Sequence, residues 1–172
     1  EWREADNPQN IETGTGLYYK SIGKAVSDGN QPITGVSYEN AVTYAKWLSS
    51  LTSQDYRLPS ESEWEYAARA GASTAYSFGA SISTQDANYD GSIGKTTPVG
   101  RFAPNAFGLH DMHGNVLEWV EDCYETSYTA GQPWDGRPWT GGGCEGRVTR
   151  GGSWNLVSEF VRAATRSSST EA

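Results

Sequence analysis

The stretch Asn105–Tyr124, NAFGLHDMHGNVLEWVEDCY, gathers two histidines, four carboxylates and the rings of Phe107, Trp119 and Tyr124 into one short run. Asp111 and Glu118 stand seven positions apart, with Gly114, Asn115 and Val116 between them. Glycine lets a backbone turn tightly. Carbonyl and carboxylate oxygens of such a turn can then converge on one point, which is the ligand set that calcium takes. A solvated acidic turn has the same spacing, so the residues alone leave both readings open. The alternation in Val116-Leu117-Glu118-Trp119-Val120 reads as a strand leaving the turn.

Downstream of this run the only cysteines are Cys123 and Cys144, in Glu-Asp-Cys-Tyr and Gly-Gly-Cys-Glu. Their polar, loop-like settings suit a disulfide better than buried free thiols, and such a bond points to an oxidising compartment. Two free thiols of a cytosolic protein would have the same sequence. Trp134 and Trp139 are expected to clamp the Gly- and Pro-rich loop between the cysteines. Arg147–Trp154 reads as a strand entering a glycine turn. Arg162 and Arg166, four apart, are expected to pair with carboxylates of the core, the alternative being a bidentate grip on a ligand carboxylate or sulfate.

Upstream, two helices are predicted. Tyr38–Leu51 has Ser37 as N-cap and a stripe of Ala41, Tyr44, Ala45 and Leu48. Glu61–Ala70 opens on the capping box Ser60-Glu61-Ser62-Glu63, buries Trp64, Ala67 and Ala68, and has Gly71 placed as its C-terminal cap. Between this helix and the central stretch, Asp86-Ala87-Asn88-Tyr89-Asp90-Gly91 matches the first half of an EF-hand loop. The position that needs a bidentate Glu is Thr97, so an EF-hand is rejected. A looser cation site using Asn88, Asp90 and the Tyr89 carbonyl competes with a plain Asx-turn. Residues 1–31 read as a polar arm, strand-like only at Leu17-Tyr18-Tyr19.

The chain of 172 residues suits one domain. Thirteen basic against twenty-one acidic residues give a net charge of −8, which argues against nucleic acid or an anionic membrane as the main partner. No apolar run approaches membrane-spanning length. Seven Trp, ten Tyr and twenty Gly suit a loop-rich domain pinned by large side chains. His110 and His113 with Asp111 make a poor zinc set, and no P-loop, GxSxG or dinucleotide fingerprint is present.

Four motifs in order resemble the formylglycine-generating enzyme (sulfatase-modifying factor) family. They are Gly35–Ala41, Tyr56–Arg69, Asn105–Trp119, and Arg150-Gly151-Gly152-Ser153-Trp154 with Arg162-Ala163-Ala164. The resemblance implies a C-type-lectin-like α+β fold over residues 32–172, with two helices packed on small, irregular, mostly antiparallel sheets. It implies a calcium ion held by the side chains of Asp111 and Glu118 and the carbonyls of Gly114 and Val116. A second site of the family falls on Asn88 and the Tyr89 carbonyl.

Catalysis does not carry over. The family's enzymes oxidise a substrate cysteine with copper and oxygen, using a cysteine pair just after the Gly-Gly-Ser motif. Here that segment is Trp154-Asn155-Leu156-Val157-Ser158-Glu159-Phe160-Val161, without cysteine. Copper is therefore not expected, because cuprous ion wants thiolate ligands. The resemblance is greater to a non-catalytic, ligand-binding branch diversified by retroelements, through Pro104–Leu109, Glu121-Asp122-Cys123 and a later Gly-Gly-x-Cys. In that branch Trp154, Asn155, Leu156, Val157, Ser158, Glu159 and Phe160 would form the binding surface for a protein or glycan. Such a module is expected outside the cytoplasm. Family members continue to a final Gly-Phe-Arg strand, so the chain is expected to be a fragment or to borrow strands. The alternatives are a formylglycine-generating oxidoreductase and a structural subunit of a larger assembly.

Overall fold

A computed structural model describes residues 30–128, 131–141 and 143–170. The expected N-terminal arm, including Leu17-Tyr18-Tyr19, falls almost wholly outside them. The chain divides into a compact unit Pro59–Thr170 and another holding residues 30–58.

In the second of these, helix α1 spans Tyr38–Thr52. Ser37 Oγ accepts from Asn40 N at 3.2 Å, the expected N-cap. Tyr38, Asn40 and Ala45 are buried, whereas Tyr44 of the expected stripe is exposed. Ser53 ends the helix in the left-handed region, with φ 56°.

In the larger unit, helix α2 spans Glu61–Arg69 and forms the full capping box. Glu63 N donates to Ser60 Oγ at 3.2 Å, and Ser60 N donates to Glu63 Oε2 at 2.8 Å. Ala70 rather than Gly71 takes the C-cap, at φ 47°, with its N–H on Tyr66 O. Gly71 continues the left-handed turn at φ 90°. The close of the helix is thus shared between the two residues, and the strained position falls one earlier than the glycine suggested.

Three short strands form one antiparallel sheet in the order β1 (Glu118–Cys123), β2 (Arg147–Arg150) and β3 (Ser167–Ser169). Trp119 lies opposite Thr149 and Cys123 opposite Arg147, with a register shift between them, and Val148 lies opposite Ser168. β1 begins at Glu118, two residues later than the alternation suggested. The backbone of Gly114 and Asn115 is drawn off to Gly151, Asn88 and Trp154 instead. The far edge of β1 is also used: Glu121 N donates to Pro59 O and Cys123 N to Trp139 O, at 2.9 and 2.7 Å.

α2 packs on β1 and β2 through a core of Trp64, Ala68, Val120, Val148 and Ala163, closed by Met112 and Tyr124. A second core holds Tyr76, Ala87, Tyr89 and Val161, with Ile82 and Leu156 against it. Each valine among them contributes about 1.5–3 kcal/mol on burial, and each alanine methyl about 0.8 kcal/mol. Among the described residues this is the expected α+β, loop-rich architecture, with two helices and a small antiparallel sheet. Trp134 does not clamp its loop, being 96 % exposed. The backbone of Trp139 does the holding, and the Cys123–Cys144 disulfide forms.

Candidate metal turn and binding surface

The turn from Asp111 to Glu118 is a junction of hydrogen bonds. Gly114 N donates to Gly151 O and Asn115 N to Asn88 O, both at 2.8 Å, and Trp154 N donates to Asn115 O at 3.0 Å. Asn88 and Gly114 form a parallel bridge, so the two candidate cation segments, read as separate loops in the sequence, lie side by side. Gly114 has φ +81°, and a Cβ there would sit 2.2 Å from Asn88 O. Only glycine permits that approach.

Asn115, at φ 64°, was not singled out by its sequence context. Its Oδ1 accepts from Thr97 N at 2.9 Å, and its Nδ2 donates to Thr97 O at 3.3 Å. An Asn behind a Gly in a turn is the available signal, because short amide side chains tolerate positive φ and bond nearby backbone. Asn105 acts alike before the turn. Its Nδ2 donates to Ala67 O at 2.8 Å, and its Oδ1 accepts from Phe107 N and Leu109 N at 3.0 and 3.1 Å. The turn is thereby fastened to the end of α2.

The acidic groups stand out by what they lack. Asp111 Oδ2 accepts from Gly100 N at 2.7 Å, while Asp111 Oδ1 is buried with no hydrogen-bond partner. Glu118 Oε2 accepts from Trp64 Nε1 at 2.7 Å. Burial pushes the Glu118 acid up to about 7, the Trp64 bond lowers it, and the neighbouring Asp111 charge raises it. A buried Glu118 carboxyl beside an Asp111 whose buried oxygen is orphaned is a set short of positive charge. Among the described residues no three His, Cys, Asp or Glu side chains come together. Carbonyl oxygens therefore have to complete any cation site here, and such oxygen sets suit calcium rather than a transition metal.

On the neighbouring segment, Asn88 is 1 % exposed. Its Nδ2 donates to Lys95 O at 2.9 Å, and its Oδ1 is a second orphaned buried acceptor. The Tyr89 carbonyl accepts from Ser92 N at 3.2 Å and Ser92 Oγ at 2.9 Å. His113 is committed to structure: Ser77 N donates to its Nε2 at 3.1 Å, and its Nδ1 donates to Val161 O at 2.8 Å. Burial lowers its pKa. His110 is exposed.

The segment Trp154–Phe160 divides into an anchored part and a displayed part. Gly91 N donates to Trp154 O and Asp90 N to Leu156 O, both at 2.8 Å. Leu156 packs on the second core. A 3-10 helix, Ser158–Val161, follows, with Ser158 O accepting from Tyr76 Oη at 2.9 Å and Val161 fully buried. A Cβ at Gly152 would meet Phe160 O at 2.7 Å, so this glycine lets the helix close against the motif. Asn155, Val157, Glu159 and Phe160 face solvent, Phe160 with 52 % of its surface exposed. Arg162 is exposed, and its Nε donates to Glu159 O at 2.9 Å.

Residues 6–172 match the family described as the sulfatase-modifying factor enzyme 1-like domain. The chain belongs to this family. Among proteins similar to this sulfatase-modifying-factor domain is a formylglycine-generating enzyme of Thermomonospora curvata, 34 % identical over 183 residues. That match covers 90 % of this chain and 57 % of the enzyme. The serine/threonine-protein kinase pkn1 of Chlamydia pneumoniae is 37 % identical over 141 residues, covering 78 % of this chain and 21 % of the kinase. The chain therefore spans well under two thirds of these relatives. The structure of PvdO from Pseudomonas aeruginosa superposes with a TM-score of 0.76 at 36 % identity, covering 93 % of this chain and 72 % of that one. Treponema denticola variable protein 1 superposes with a TM-score of 0.71 at 23 % identity, covering 92 % and 76 %, a likeness of fold alone.

Proposed function

We propose that this sulfatase-modifying-factor domain is a non-catalytic, calcium-stabilised binding module. The observation that carries the calcium part is the unpartnered, buried Asp111 Oδ1 beside the buried Glu118 carboxyl. Asp111 and Glu118 would hold the ion with the Gly114 and Val116 carbonyls, and Asn88 would extend the set. Calcium supplies charge neutralisation and cross-links the turn; no reaction step is assigned to it. The binding part rests on the displayed side chains of Asn155, Val157, Glu159 and Phe160, which offer apolar centres with a polar rim to a protein or glycan. Both cysteines are consumed in one disulfide, and residues 153–172 contain no cysteine, which favours a binding role over thiol oxidation by copper. The disulfide also favours an extracytoplasmic location. Among the described residues no helix is long and apolar enough to cross a membrane.

Thermal unfolding with calcium, magnesium or chelator tests the calcium part. Calcium at a hundred times its Kd should stabilise by about 2.7 kcal/mol, and Asp111→Asn with Glu118→Gln should abolish the shift. No shift, or one that survives both substitutions, overturns the site. Catalytic inertness is tested by mass spectrometry of a Cys-x-Pro-x-Arg peptide incubated with the protein, copper, reductant and oxygen. The expected result is an unchanged mass, and appearance of the aldehyde restores the oxidoreductase reading.

A further inference from the structure

The two sulfurs of the disulfide have unlike surroundings. Cys123, at the end of β1, is 1 % exposed. Cys144 is exposed, in a glycine-rich stretch. Arg147 Nη1 donates to Glu121 O at 3.0 Å and lies 3.5 Å from Cys123 Sγ. A guanidinium beside a sulfur favours its thiolate form. Thiol–disulfide exchange depends on which sulfur an incoming thiolate can reach and on how readily the other leaves. Access favours attack at Cys144, and the Arg147 charge favours departure of Cys123.

We propose that Cys144 is a thiol-exchange site, at which an external thiolate opens the disulfide and Cys123 leaves as a thiolate beside Arg147. The incoming sulfur forms a bond to Cys144 Sγ. The Cys144–Cys123 bond breaks, and its electron pair goes to Cys123 Sγ. A monothiol such as glutathione first gives this mixed disulfide, which a second glutathione thiolate resolves to oxidised glutathione or Cys123 closes again. With a dithiol, its second sulfur, once deprotonated, attacks the sulfur already bound to Cys144. Cys144 is released as a thiolate and takes a proton from water. The dithiol has then been oxidised to its disulfide, and the protein pair reduced by two electrons.

The exchange reaches the helix through a chain of contacts. Cys123 N holds Trp139 O at 2.7 Å, and Trp139 N holds Asp122 Oδ1 at 2.9 Å. Asp122 Oδ2 accepts from Glu61 N, at the first turn of α2, at 2.6 Å. Opening the bond removes the covalent tie at one end of this chain while leaving the core cluster under α2 in place.

The test treats native protein with reduced glutathione, quenches with acid and maps the adduct by peptide mass spectrometry. Glutathione should be found on Cys144 in roughly tenfold or greater excess over Cys123, as unequal access dictates. Adduct on Cys123, equal labelling, or no native adduct while a denatured control reacts each overturns the proposal. Single variants separate access from leaving ability. Cys123→Ser should leave a thiol that maleimide alkylates in the native state, and Cys144→Ser a thiol that reacts only in denaturant. Arg147→Met should slow glutathione exchange roughly tenfold. In the Cys123→Ser background it should not change alkylation of Cys144. Unslowed exchange removes Arg147 from the proposal, and slowed alkylation shows that the substitution disturbed access instead.

Discussion

Arg166 grips Glu61 through one edge of its guanidinium, Nε on Oε1 at 2.5 Å and Nη2 on Oε2 at 2.9 Å, across a sequence separation of 105 residues. The contact joins the approach to β3 to the first turn of α2. Tyr124 and Tyr128 lie over the Arg166 guanidinium, 5.3 and 4.5 Å from ring centre to charge. Beside it the fully buried Arg150 binds Glu65 Oε2 at 2.5 Å and Ala163 O at 2.8 Å, donates to Thr165 O, and stacks on Trp64. Two arginines and two glutamates thus fix α2 on the sheet. Of the two arginines expected to pair with core carboxylates, Arg166 does so, whereas the exposed Arg162 donates to the Glu159 carbonyl instead.

Replacing Arg166 by Met removes one partner of a largely buried pair whose side chains are 14 % and 6 % exposed. The loss should be about 3–5 kcal/mol, since the Glu61 charge stays behind in the protein. Chemical denaturation measures it. Arg137, which pairs with Asp135 at 79 % and 40 % side-chain exposure, is the control. Its replacement by Ala should leave the midpoint where it was, because exposed pairs are screened. Equal effects at the two sites would show that the Glu61 pair is no stronger than a surface contact.

Gly114→Ala should be among the most damaging single-methyl additions in the chain. The new Cβ meets a backbone oxygen at 2.2 Å, and the φ of +81° adds strain. Either the Asn88–Gly114 bridge opens or the turn moves, at a cost above about 4 kcal/mol. Gly91→Ala has a similar φ of +64° but nothing within 4 Å of the new Cβ, so it should cost only the strain, about 1–2 kcal/mol. Equal losses in thermal melts of the two variants would mean that the close approach to Asn88 O contributes nothing.

How much was legible in the sequence follows from where the physics is local. The Ser60–Glu63 capping box needs four consecutive residues, and it forms with both reciprocal bonds. The first-turn bond of Ser37 is equally local. β3 is three serines, which have no strand signature, and it exists because β2 offers an edge to pair with. The adjacency of Asn88 and Gly114 depends on a bridge between segments far apart in the chain, so two loops that read as separate cation sites meet in space. Trp134 misled because aromatic residues in Gly- and Pro-rich loops usually pin them. Here the disulfide, the Ser60 Oγ bond to Gly136 O at 2.6 Å and the Trp139 backbone hold the loop, leaving the ring free.

Asp122 gives a dependence on pH. Burial raises its acid above the ordinary 3.8, against the lowering by its two backbone donors, Trp139 N and Glu61 N. A raised carboxyl favours the fold when protonated. Its contribution is present below the unfolded value and is lost as pH rises through the higher folded value. Asp122→Asn does not titrate. The wild-type advantage over this variant should therefore be larger at pH 4 than at pH 7, read from urea midpoints at each pH. A gap that widens with pH would mean that the two N–H donors outweigh burial.

The Trp154–Phe160 segment predicts a division between neighbours. Leu156 packs on Tyr76, Ala87, Tyr89 and Val161, whereas Phe160 and Val157 are 52 % and 44 % exposed. Leu156→Ala should cost about 2–3 kcal/mol through lost burial and a residual cavity. Phe160→Ser and Val157→Ser should each stay within about 0.5 kcal/mol, as surface changes do. If both exposed residues are dispensable for stability, large apolar side chains are displayed there without a folding role, as a binding surface requires. If Phe160→Ser instead unfolds the domain as Leu156→Ala does, its ring is part of the core packing. The surface available to a ligand would then shrink to Asn155, Val157 and Glu159.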